Sequence, residues 1–64
     1  MRIDRVKFTA ELTRQNLTQK KLAELSGVSR STISYIKAGK SCSNEIGQKI
    51  SKALGVNVDE ILED

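Results

Sequence analysis

The chain has 64 residues, 38% hydrophobic and 30% charged, with a net charge of +3 and one cysteine. A chain of that length makes one small domain whose core supplies only about 3–5 kcal/mol without help. One cysteine and no histidine exclude an intrachain disulfide and a structural zinc site. No run nears the ~20 apolar residues of a membrane span, and no signal-peptide apolar region opens the chain, which predicts a globular, cytoplasmic protein.

The charge is unevenly placed. Residues 1–40 hold nine basic residues against Asp4, Glu11 and Glu24, a net of +6, whereas residues 41–64 hold Lys49 and Lys52 against five acids, a net of −3. The first part suits a polyanion and the second does not.

With no proline and little alternation of period 2, the chain reads as all helix. Four starts carry a hydrophobic staple, in which the residue before the N-cap packs against the fourth helical residue. The pairs are Ile3 and Phe8 around Asp4, Leu17 and Leu22 around Thr18, Val28 and Ile33 around Ser29, and Val56 and Ile61 around Asn57. Each cap is a residue whose side-chain oxygen can accept from a free N–H of the first turn.

The first helix is predicted from about Asp4 to Gln15, with Phe8 and Leu12 inward. A second runs from Thr18 to Ser26, burying Leu22 and Ala23, and stops at Gly27 as a left-handed cap. The third runs from Ser29 to Ala38, buries Ile33 and Ile36, and ends at Gly39. A fourth starts between Ser43 and Glu45 and reaches Leu54, with Ile46, Ile50, Ala53 and Leu54 on one stripe and Gly55 as its cap. A short fifth helix, Val58 to Leu62, opens on a capping-box pattern of Asn57 with Glu60. The expectation is an all-α, compact bundle of five short helices in one domain, 1–64.

The break at Gly27 carries the functional information. Helices of about eight residues are marginal alone and must be held by each other and by the bundle. A one-residue glycine turn swings the third helix across the second, so its N-terminus, with Ser29, Arg30 and Ser31, projects with free N–H groups and a positive dipole end.

"QKKLAELSGVSRSTISYIK" resembles the helix-turn-helix of the lambda-repressor-like family, the Cro and Xre group of bacterial and phage regulators. Leu22 and the small Ala23 fall at inward positions, Gly27 at the turn, Val28 just after it, and Ile33 and Ile36 at inward positions of the second motif helix. "KISKALGVNVDEIL" is similar to the family's last two helices, so the resemblance spans nearly the whole chain.

The resemblance implies that the third helix lies in the DNA major groove and the second sits across the backbone. With Ile33 and Ile36 inward, Arg30, Ser31, Ser34 and Tyr35 turn outward. Arg30 is the expected base reader, because a guanidinium can bond guanine O6 and N7 together. Tyr35 could meet a thymine methyl or a phosphate, or could simply cover the core. Gln19 matches a family glutamine that contacts DNA near the backbone, against the alternative of an ordinary first-turn residue. Thr18 is a cap whose hydroxyl could also reach a phosphate. Lys20, Ser29, Lys37, Lys40, Ser41 and Ser43 complete the expected phosphate contacts, and Lys21, Lys49 and Lys52 are assigned to solvated surface.

Two departures stand out. Many members pair an arginine on the first helix with a glutamate on the third, and here those positions hold Leu12 and Lys37, which suggests an apolar contact in place of the ion pair and frees Lys37. Ser26 stands where an apolar residue is more usual, which should weaken the core slightly. Cys42 reads as a small loop residue.

The function expected is a sequence-specific double-stranded DNA-binding regulator that represses by occupying a palindromic operator. Such proteins bind as homodimers to half-sites about 34 Å apart. Val58, Ile61 and Leu62 are candidate dimer contacts, with completion of the monomer core as the alternative. A protein-interaction module that uses the bundle without reading DNA is the second hypothesis. Neither a cofactor nor a small-molecule ligand is expected, and an enzyme is disfavoured because no histidine, metal cluster or phosphate-binding glycine loop is present.

Overall fold

Each α-helix opens on the polar side chain that the sequence places there. Asp4 accepts from the Val6 and Lys7 N–H groups at 2.8 and 3.0 Å, Thr18 from Lys21 at 3.0 Å, Ser29 from Thr32 at 3.2 Å and Ser43 from Ile46 at 3.2 Å. Each bond satisfies one of the N–H groups that a helix start leaves without an intrahelical partner. The computed structural model, which describes residues 1–64, contains α1 (Arg5–Arg14), α2 (Gln19–Ser26), α3 (Arg30–Lys37), α4 (Asn44–Leu54) and a 3-10 turn at Val58–Glu60.

The ends are equally local. Gly27 closes α2 at φ 73°, and Gly39 and Gly55 follow α3 and α4 with positive φ. The end of α1 uses asparagine in place of glycine. Asn16 sits at φ 58°, its N–H bonds Thr13 O at 3.1 Å, and the Leu17 N–H bonds Leu12 O at 2.8 Å. This is the paired ending that usually takes glycine, and asparagine is the residue that next tolerates it.

The staples become the core. Ile3, Phe8, Leu22, Ile33 and Ile61 are fully buried, and Ile36 and Ile50 join them. Leu17 and Val56 pack partly buried against the same cluster. Each of the fully buried side chains contributes roughly 1.5–3 kcal/mol of transfer free energy. α2 packs against both α3 and α4, and α1 packs against α3, in a body of 26 × 21 × 19 Å.

The fifth helix is shorter than expected. Val58–Glu60 forms one 3-10 turn, with the Glu60 carboxylate accepting from the Asn57 N–H at 2.8 Å. The backbone then leaves helical geometry at Ile61, φ −120°, because it pairs with the other end of the chain. The Asp4 N–H bonds Ile61 O at 2.8 Å, the Glu63 N–H bonds Arg2 O at 3.1 Å, and Ile3 and Leu62 form an antiparallel bridge. Arg2 with Glu63 and Lys7 with Asp64, each at 3.2 Å, flank this junction.

The N-terminus also holds the loop before α4. The Met1 ammonium donates to Cys42 O at 2.7 Å, and the Cys42 N–H returns a bond to Met1 O at 2.8 Å. The Met1 thioether lies over Gly47, where an added Cβ would overlap Sδ unless the Met1 side chain shifted. The buried Gly47 lies in ordinary helical backbone, and its surroundings differ from those of the three glycines with positive φ.

Candidate nucleic-acid interface

The turn between α2 and α3 is built from three adjacent residues. A Cβ at Gly27 would meet nothing within 4 Å, so only the left-handed backbone demands glycine there. Ser26 Oγ donates to Leu22 O at 2.7 Å and accepts from the Val28 N–H at 3.2 Å. The serine expected to weaken the core instead satisfies a half-buried N–H of the turn, a role that its polar type could have suggested. Val28 and Ile33 are buried and anchor the start of α3.

With that anchor, the face of α3 expected to read bases stands clear of the bundle. Arg30, Ser31 and Ser34 are exposed, and Tyr35 is 56% exposed. Arg30 makes neither an ion pair nor a side-chain hydrogen bond. Ser34 Oγ donates to Gln19 Oε1 at 3.1 Å, which brings the first residue of α2 onto the same surface and leaves the Gln19 amide N–H groups free to donate. On the other flank the Lys40 ammonium lies 5.2 Å from the centroid of the Tyr35 ring, so the ring carries a cation rather than closing over the core.

A family model described as helix-turn-helix matches residues 10–61. The chain belongs to the Cro/Xre-type helix-turn-helix family. No curated protein and no solved structure matches the chain. Membership makes it a DNA-binding helix-turn-helix domain, in a family that is regulatory rather than enzymatic. No helix is long and apolar enough to cross a membrane, and no group of three or more Cys, Asp or Glu side chains is arranged to hold a metal ion.

Within the helix-turn-helix frame the cations divide by pairing. Arg2, Lys7, Arg14, Lys21 and Lys49 each have a carboxylate partner. The other six have none: Lys20, Arg30, Lys37 and Lys40, all exposed on or beside α2 and α3, together with Arg5 on α1 and Lys52 on α4. Unpaired cations draw a polyanion without first breaking an internal contact. Ser41 is exposed in the loop after α3. Thr18, Ser29 and Ser43 are exposed too, each accepting from the backbone at its own cap, while Ser29 Oγ also donates to Thr32 Oγ1 at 2.9 Å.

Leu12 and Lys37 line the same surface hollow beside Gln19. Leu12 is buried in the core and Lys37 is exposed, so the two do not replace the family's ion pair as one apolar contact: the leucine joins the core and the lysine faces outward. Of the candidate dimer residues, Ile61 is fully buried and completes the monomer core, leaving no side-chain surface for a second copy. Val58 and Leu62 are half-buried. Burial pushes the Cys42 thiol pKa up, the opposite of what a reactive thiolate needs.

Proposed function

We propose that the protein is a cytoplasmic, sequence-specific double-stranded DNA-binding regulator, its 64 residues acting as one domain that represses by occupying an operator. α3 enters the major groove with Arg30 as the principal base reader and Ser31, Ser34, Tyr35 and Gln19 beside it. Thr18, Lys20, Ser29, Lys37, Lys40, Ser41 and Ser43 hold phosphates on either side. The observation that carries this reading is the unpaired Arg30 at the exposed start of α3, flanked by Gln19 with Ser34 on one side and Lys40 with Tyr35 on the other.

One recognition helix reads too few base pairs for selectivity, so two copies bind a palindromic operator with half-sites about 34 Å apart. The half-buried Val58 and Leu62 are the surface we assign to their contact. The alternative, a protein-interaction module using the acidic C-terminal residues, has less support because Glu63 and Asp64 already pair with Arg2 and Lys7.

Selection of bound sequences from random duplexes tests the reading. A two-fold symmetric site bound with an affinity that falls linearly in log salt is the expected result. No enriched site, together with no duplex retained in dilute buffer, would refute it.

A further inference from the structure

We propose that the exposed face of α1 is a second contact element, gripping the sugar-phosphate backbone of the duplex that α3 reads; the proposal rests on the DNA-binding reading above. Arg5, Thr9 and Thr13 recur every four residues, which puts them on one face of α1, and Asn16, in the left-handed turn that ends the helix, lines the same hollow as Thr9 and Thr13. All four are exposed.

Two hollows run between this face and the end of α3, and both include Thr9 and Lys37. Arg5 and Val6 extend one; Thr13, Asn16 and Gln19 extend the other. No carboxylate lines either hollow.

The two cations of this trough, Arg5 and Lys37, have no ion-pair partner, whereas Lys7 and Arg14 on other faces of α1 pair with Asp64 and Glu11. Cations outside any ion pair, interleaved with hydroxyl and amide donors, match the chemistry of phosphate oxygens. Gln19 lines the trough and joins it to the recognition surface through its bond with Ser34. At 1.5 Å per residue the helical stripe from Arg5 to Thr13 is about 12 Å long, enough to follow more than one phosphate.

The test measures affinity for a selected operator against salt concentration for the wild type, Arg5→Gln and Thr13→Glu, with ethylation interference to map phosphates. Arg5→Gln should reduce the log–log slope by about 0.9 and leave base preference unchanged. Thr13→Glu should lower affinity roughly tenfold at low salt, where an introduced carboxylate beside a phosphate is least screened. Ethylation should interfere at phosphates beyond the base pairs that α3 reads. Undiminished duplex binding by both folded variants would mean that the face serves an acidic protein or nothing, and would overturn the proposal while leaving the recognition helix in place. A wild type that retains no duplex would remove both together.

Discussion

Arg30 opens α3, projects into solvent and has no acid to neutralise it, so its guanidinium has its donors available for a base edge. Arg30→Ala should cost about 1–3 kcal/mol of specific binding and relax preference at one position; a selection carried out with the variant would show the loss of that position. Lys40 has a different part. Its ammonium is held over Tyr35, an exposed arrangement worth roughly 0.5–1 kcal/mol, and it carries charge without a directional pattern. Lys40→Ala should weaken all duplexes about equally and reduce the salt slope by about one unit, which titrations at four or five salt concentrations would measure. An unaltered slope would take Lys40 out of the phosphate contacts.

At the scale of the element, short helices depend on their ends. The left-handed turn at Gly27 has open space around it, so Gly27→Ala introduces backbone strain and no clash. The expected loss is about 1 kcal/mol, or roughly 4–8 °C in Tm for a domain of this size, read by thermal denaturation. A much larger loss would mean that α3 shifts as well. The start of α1 is sensitive to acid instead. The backbone N–H of Lys7 is the main cause holding the Asp4 carboxyl below its usual range, with Val6, Lys7 and Arg5 assisting. A lowered folded pKa contributes stability above the unfolded value and loses it as pH falls through the folded one. The Arg14 side chain lowers Glu11 in the same way. Stability should therefore decline below about pH 4, and Asp4→Asn, which keeps a capping oxygen, should flatten that decline while changing Tm little at pH 7. An unchanged acid limb in the variant would count against the cap.

For the whole molecule the decisive contact is between the two ends of the chain. The backbone of Ile3 and Leu62 pairs, and both Ile3 and Ile61 are buried. Ile61→Ala should cost about 2–5 kcal/mol, comparable with the entire stability of a domain this small. The variant should be largely unfolded by circular dichroism at any protein concentration. Recovery of the fold on concentrating the sample would instead mean that Ile61 acts between copies.

Most of the architecture was legible from local chemistry. The four α-helix starts depend on side-chain bonds to N–H groups two or three residues on, and the endings at Gly27, Gly39 and Gly55 depend on one residue's φ, so each is written within a few adjacent positions. Asn16 was legible on the same terms and was missed. The periodic isoleucines and leucines determined which faces turn inward, and with them the outward set of Arg30, Ser31, Ser34 and Tyr35. Only the tertiary structure decided the rest. Whether Val58 to Leu62 continues as a helix depends on hydrogen bonds to Arg2 and Asp4, more than fifty residues away. That Met1 covers Gly47 is likewise decided only by the folded chain. The division of the basic residues into paired and unpaired depends on distances that no spacing along the chain encodes, because a salt bridge joins whatever the packed core brings within reach.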